Sequence, residues 1–175
     1  NNKFTIINSI SLINTQLSEI INLQADRIYG QDKYKDKITL HLGVNLLDLV
    51  RSSELQNSIS VSRKLFAERN GWSFSAIRIL DNLLLQPYEY SISIQGKLIG
   101  SNYLEPNKLL AMVPYSSSEK YEVINSIVGY GIWMDNEVEF ENLPEDSIPF
   151  SHADLIAYHL EKIILDNSEI FQKGN

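Results

Sequence analysis

The chain contains no cysteine among its 175 residues. That excludes a disulfide framework and a thiolate metal site. It also lacks any run of about 18 apolar residues, so no segment reads as a membrane span. No secretory leader is visible at its start. The first residue is Asn1 rather than Met, which is what an excised fragment is expected to show. Positive charge is in deficit: 15 Lys and Arg stand against 22 Asp and Glu, a net −7. No basic stripe relieves that deficit, so a phosphate backbone would be repelled and nucleic acid is not an expected partner.

Catalytic signatures are missing too. Gly71-Trp72-Ser73-Phe74-Ser75 lacks the second glycine of a nucleophile elbow. There is no P-loop, and Gly129-Tyr130-Gly131 is a lone GxG. Zinc would need His41 to close on His152 and His159 with a carboxylate such as Asp154. Core histidines with hydrogen-bond partners are the expected reading instead. Asp81 and Glu89 offer a pair of acids, but turn and strand-edge roles suit them better. Trp72 and Trp133 are expected in the core, with interface anchoring as the alternative. Tyr88 and Tyr90 lie on a strand, yet RNA stacking would need interleaved Arg or Lys. No cofactor is expected.

At 43% hydrophobic residues, the chain has enough apolar material for a substantial core, in one domain or two small ones. Residues 4–25 contain no Gly or Pro. Ile6, Ile10, Ile13, Leu17, Ile20 and Ile21 fall on one helical stripe there. Residues 29–37 are charged and turn-like. A strand is expected over 38–42. A helix follows over about 54–69, with Leu55, Ile59, Val61, Leu65 and Phe66 inward, and Asn70-Gly71 ends it.

The stretch 77–96 is the most informative. A strand over 74–80 meets a turn at Asp81-Asn82. Pro87 then marks a strand start, because it has no N–H to give a ladder. Tyr88, Tyr90, Ile92 and Ile94 alternate on one face, and Gln95-Gly96 reads as a hairpin tip. Pro106-Asn107 turns into a strand over 108–113, and 114–120 is a loop. Val138 and Phe140 alternate with Glu137, Glu139 and Glu141, which predicts a further strand, and Pro144 argues against a long helix. Ser151 is an expected N-cap, with Asp154 closing a box-like arrangement. Leu155, Ile156, His159, Leu160 and Ile163 make the buried face of the helix it starts. Between Met134 and Phe150 lie six acids with no Lys or Arg. That is either a solvated face or a docking surface for basic partner segments.

Arg78, Ile79, Asp81, Asn82, Leu85, Pro87, Glu89, Tyr90, Ile92, Ile94 and Gly96 occupy an ungapped pattern. It resembles the cytoplasmic domain of the export-gate proteins of flagella and type III secretion systems (the FlhA, InvA and MxiA kind). Leu42-Gly43 with Leu46, Leu49 and Val50 matches a second pattern of that family, and Ala157, His159 and Leu160 a third. The resemblance covers 38–166. It departs from the family at Ile127, Val128 and Tyr130, where Phe, Gly and Pro are usual, and at Ser151 and Tyr158.

The resemblance, with the pattern above, implies an α+β fold: a small mixed sheet flanked by the 54–69 and 152–170 helices, with an inserted β-rich subdomain. Residues 1–29 would be a linker helix able to lean on a neighbouring subunit. Residues 30–102 with 152–171 would form a first subdomain and 103–151 the inserted second. The implied role is non-enzymatic: a platform at the cytoplasmic face of the bacterial inner membrane that receives secretion chaperone–substrate complexes and ATPase-stalk components. The intact parent would form a homo-oligomeric ring and reach the membrane only through an N-terminal part absent here. Ile127 and Tyr158 match the lining of the family's chaperone-docking groove, with Ile124 nearby. Two other classes remain open from the residues themselves. One is a small-ligand-sensing regulatory module with a concave apolar pocket. The other is a small hydrolase using Arg78 and Asn82.

Overall fold

A computed structural model of the chain describes residues 38–172, except Ser75 and Glu139. The expected helix over 4–25 and the charged stretch 29–37 lie outside the described residues. The fold is α+β, with two four-stranded sheets and two principal helices.

The first sheet has the order β2-β1-β3-β4, built from β1 (Ile38–Leu42), β2 (Arg78–Asp81), β3 (Glu89–Ile94) and β4 (Lys97–Tyr103). It is mixed, because β1 runs parallel to β2 and antiparallel to β3. Successive side chains of a strand point to opposite faces. Ile38, Leu40 and Leu42 therefore share one face, opposite Ile94, Ile92 and Tyr90 of β3, and all six are buried. The expected strand over 74–80 begins only at Arg78, opposite Thr39 of β1. Phe74 instead packs edge-on against Phe66, with ring centroids 5.4 Å apart. The Asp81-Asn82 turn is present, and the Asn82 Oδ1 accepts a hydrogen bond from the Leu84 amide at 3.0 Å. Gln95 and Gly96 both have positive φ, 50° and 79°, as a tight type I′ hairpin requires.

After β1, the chain turns through α1 (Leu47–Arg51) into α2 (Glu54–Asn70). Gly71 ends α2 at φ 71°, its N–H donating to the Ala67 carbonyl. Leu55, Ile59 and Phe66 are buried as expected, but Val61 and Leu65 are exposed. The helical angle explains this correction. At about 100° per residue, positions 55, 59 and 66 cluster within one stripe, while 61 and 65 sit on the flank.

The second sheet is antiparallel, with the order β6-β7-β5-β8, from β5 (Lys108–Met112), β6 (Ile124–Ser126), β7 (Gly129–Asp135) and β8 (Ile148–Phe150). One face carries Leu110, Met112, Trp133 and Phe150 toward the main core. The other carries a small cluster of its own, Ala111, Val113 and Ile132, backed by Leu109, Val123 and Met134. Among the described residues, the expected strand around 138–141 does not form. The Val138 amide donates to the Asp135 carbonyl and closes a turn, and Phe140–Asn142 is a short 3-10 turn. Alternation makes a strand only where another strand lies alongside, and none does here among the described residues. The 114–120 loop contains a 3-10 turn at Tyr115–Glu119.

Helix α3 (His152–Asp166) closes the core, and α4 (Ser168–Gln172) follows a break at Asn167. Ser151 caps α3, its Oγ accepting the Asp154 amide at 3.1 Å. The box is not reciprocal, because the Asp154 carboxylate accepts from Ser58 of α2 at 2.9 Å. Leu155, Ile156, His159, Leu160 and Ile163 are buried, with Ile164 and two alanines beside them. Alongside Asp154, Glu161 of α3 accepts from Ser62 and pairs with Arg69 of α2.

Candidate functional site

The face shared by α3 and the second sheet holds the three sequence-derived site residues. Tyr158 projects from α3 and is 36% exposed, and its ring meets Phe150 of β8 edge-on at 5.7 Å. Ile124 lies in β6 and Ile127 in the β6–β7 turn, both half-buried against the main core. Ile124, Gly131, Met112 and Ile148 align across the four strands, so Ile124 and Phe150 occupy the same face of the sheet. Tyr158 sits over one edge of that sheet and Ile124 lies on the other. Three strand spacings, about 14 Å, separate the edges. The structure thus brings these residues to one face without bringing them into contact. Phe150, which fixes the Tyr158 ring, carried no sequence signal beyond being apolar.

Behind this face lies a polar joint. The Tyr90 hydroxyl is 2.7 Å from His159 Nδ1, both groups being buried. Burial pushes the Tyr90 phenol well above its ordinary range, with a side-chain hydrogen bond to Asn102 opposing in part. Burial, with help from the Lys162 charge, holds His159 below its ordinary pKa. A neutral imidazole accepting at Nδ1 and a phenol donating to it account for this contact. Gly100 of β4 makes room for the ring, since a Cβ there would lie 3.1 Å from His159 Nε2 and 2.9 Å from Ile163 Cδ1. His152 Nε2 is 2.8 Å from the Glu105 carbonyl, and its ring meets Trp133 and Tyr88 edge-on. Burial lowers its pKa against the effect of that hydrogen bond. His41, on β1 of the first sheet, is lowered by burial and by the Arg78 charge.

The remaining candidates disperse. Asp81 and Glu89 sit on strands separated by β1, at Leu42↔Asp81 and Glu89↔Tyr103, and do not form a pair. Asn82 is committed to its turn. Tyr90 is fully buried, so it offers no stacking surface. Trp72 packs edge-on against Phe66 at 4.8 Å and Trp133 against His152, each half-buried. Among the described residues, no three His, Asp or Glu are grouped to hold a metal ion. No described helix is long and apolar enough to cross a membrane.

One feature carried no sequence signal. An open cavity of about 790 Å³ lies beside β7, between Tyr121 and the turn at Asn136–Val138. The charge is also unevenly placed. Positions 103–151 hold nine acids and two lysines, so this stretch carries the whole net −7 and the rest of the chain is neutral.

Comparison with known proteins agrees with the fold. The model of the FHIPEP family matches residues 24–173. The flagellar biosynthesis protein FlhA of Helicobacter pylori is 27% identical over 132 residues, 73% of this chain and 18% of that protein. The chain thus spans about a fifth of the length of the flagellar relatives it matches. Among solved structures, the Chlamydia pneumoniae CdsV protein superposes with a TM-score of 0.66 at 17% identity, covering 78% of this chain and 46% of that one. The same protein is also known in complex with CdsO. The nonameric EPEC SctV-C assembly superposes at 0.58 and 18% identity, over 78% of this chain and 41% of that one.

Proposed function

This chain belongs to the FHIPEP family, and we propose that it is part of the cytoplasmic platform of a bacterial flagellar or type III secretion export gate. Its role is docking rather than catalysis. It receives chaperone–substrate complexes on the face that carries Ile124, Ile127 and Tyr158. The observation that carries this reading is the family match over 24–173. The geometry supports it: Tyr158 is an aromatic anchor held at the surface by Phe150, and the two isoleucines continue an apolar lining on the same face. Apolar anchors with a polar rim suit a recurrent protein-docking site.

In this reading, residues 103–151 act as a second subdomain inserted between 30–102 and 152–171. The parent protein assembles as a ring at the cytoplasmic face of the inner membrane, as the nonameric state of SctV-C suggests. It also meets stalk-like partners, a role for which the CdsV–CdsO complex is the precedent.

The test is an NMR titration of the labelled chain with a cargo-loaded secretion chaperone, repeated with Tyr158→Ala and Ile127→Glu. Shifts clustered around 124–127 and 158, lost in both variants, support the docking role. Shifts unchanged by both variants, or no shifts at high chaperone concentration, overturn the placement of the site on this face.

A further inference from the structure

We propose that the open edge of β7 is a second docking site, which binds an extended, lysine- or arginine-bearing peptide segment of another protein by adding a strand to the second sheet. In β7, Tyr130 exchanges with β5, where the Val113 amide donates to the Tyr130 carbonyl at 2.9 Å. Antiparallel pairing alternates, so Ile132 and Met134 also turn their backbone groups toward β5. Gly129, Gly131 and Trp133 turn theirs the other way, as does the Asp135 N–H, while the Asp135 carbonyl is already taken by the Val138 amide. The short strand β6 meets the first two of these, at Ser126↔Gly129 and Ile124↔Gly131. Beyond Ile124 the chain leaves the ladder. Among the described residues, no strand lies beside 132–135 on that side.

The cavity of about 790 Å³ is lined by 132–135 of β7, by Tyr121 and by the turn at Asn136–Val138, and it reaches Lys108 of β5. That volume is within the range of ligand-binding pockets. Ile132 and Met134 give it an apolar floor, continuous with the small cluster on that face of the sheet. Tyr121 lines it, and Asp135 and Glu137 stand on its rim with Lys108. Backbone pairing would supply affinity without regard to sequence, and the side chains around the edge would supply selection. The partner's chemistry follows from the charge: every unit of the chain's net −7 lies within 103–151, the stretch that builds this sheet. Basic side chains on the incoming strand are therefore favoured and acidic ones repelled.

Two of the edge strands are blunted. β4 carries a bulge at Ile99, where Ile92↔Gly100 is followed by Ser93↔Leu98. β8 has three residues, with Pro149 at its centre and no N–H there to offer. Bulges, prolines and shortness are the ordinary protections of an edge strand. The open stretch of β7 carries neither a bulge nor a proline, although it is only four residues long, 132–135.

The experiment uses the full chain, isotopically labelled, and three acetylated eight-residue peptides. The first alternates Lys and Val. The second is the same peptide N-methylated at alternate residues, which keeps its charge but removes the pairing N–H groups. The third replaces Lys by Glu. The Lys–Val peptide is expected to shift the amides of 121 and 132–138. N-methylation is expected to weaken it at least tenfold, and the Glu peptide to cause no shift. Asp135→Lys combined with Glu137→Lys is expected to weaken the Lys–Val peptide by a similar factor. Equal binding of the N-methylated peptide would overturn strand addition. Equal binding of the Glu peptide would overturn the charge selection, and shifts confined to other surfaces would overturn the site.

Discussion

The Tyr90 hydroxyl sits 2.7 Å from His159 Nδ1, so a central strand and the closing helix meet through one buried hydrogen bond. Tyr90→Phe removes the donor and leaves an imidazole nitrogen buried without its partner. The expected cost is about 1–3 kcal/mol, the usual penalty for an unsatisfied buried polar group. Urea unfolding followed by circular dichroism checks it. A midpoint unchanged from the parent would show that the bond contributes nothing net.

The three histidines give the chain an acid-labile margin. His41, His152 and His159 are each held below the ordinary imidazole pKa, mainly by burial. A group with a depressed folded pKa binds its proton more readily when unfolded. Stability is therefore complete above the unfolded value near 6.5, falls as pH drops through it, and stops falling below the folded values. Stability measured from pH 7.5 down to 5 should decline, and imidazole proton resonances in the folded chain should titrate below 6.5.

Two glycines should respond differently to alanine. At Gly43 a Cβ would collide with the backbone carbonyls of Gln86, Pro87 and Glu89, and the Gly43 N–H already donates to the Glu89 carbonyl at 2.8 Å. At Gly100 the obstacles are the Ile163 and His159 side chains. Side chains can rotate and a hydrogen-bonded backbone cannot. Gly100→Ala should cost about 1–3 kcal/mol, the usual range for overpacking, and Gly43→Ala more. Thermal melting of the two variants ranks them, and the reverse order would contradict the close approach of β1 to the 86–89 turn.

Ser151→Ala removes the cap of α3. A loss of about 1 kcal/mol is expected. The variant Ser151→Asp should recover most of it, since Asp caps as well as Ser. Equilibrium unfolding of both variants decides this.

Local chemistry was legible wherever a residue carries its own geometric rule. The Gln95-Gly96 tip, the Gly71 stop, the Asn82 turn and the Ser151 cap each follow from a backbone preference or a short-range hydrogen bond. Expectations failed where the outcome depends on what lies opposite. Phe74 has strand character but no strand beside it. Val138 and Phe140 alternate with glutamates but follow a turn closed on Asp135. Val61 and Leu65 are apolar but lie off the stripe that meets the core. Of the candidate site, the three residues were legible only through the family pattern, and the strand edge beside the cavity was not. An unpaired edge is a property of the neighbour that departs, here the chain before Ile124, and no local residue signals it.

The order of elements along the chain also sets a timetable for synthesis. The first sheet is finished at Tyr103, but α3, whose Asp154 and Glu161 bind back to Ser58 and Ser62 of α2, begins 49 positions later. At roughly 5–20 residues per second, a ribosome would leave Ile92 and its neighbours without their cover for several seconds. During that interval the nascent sheet is a sticky surface with an edge on each side. A chaperone that binds exposed apolar surface would find its target in that window rather than in the finished protein.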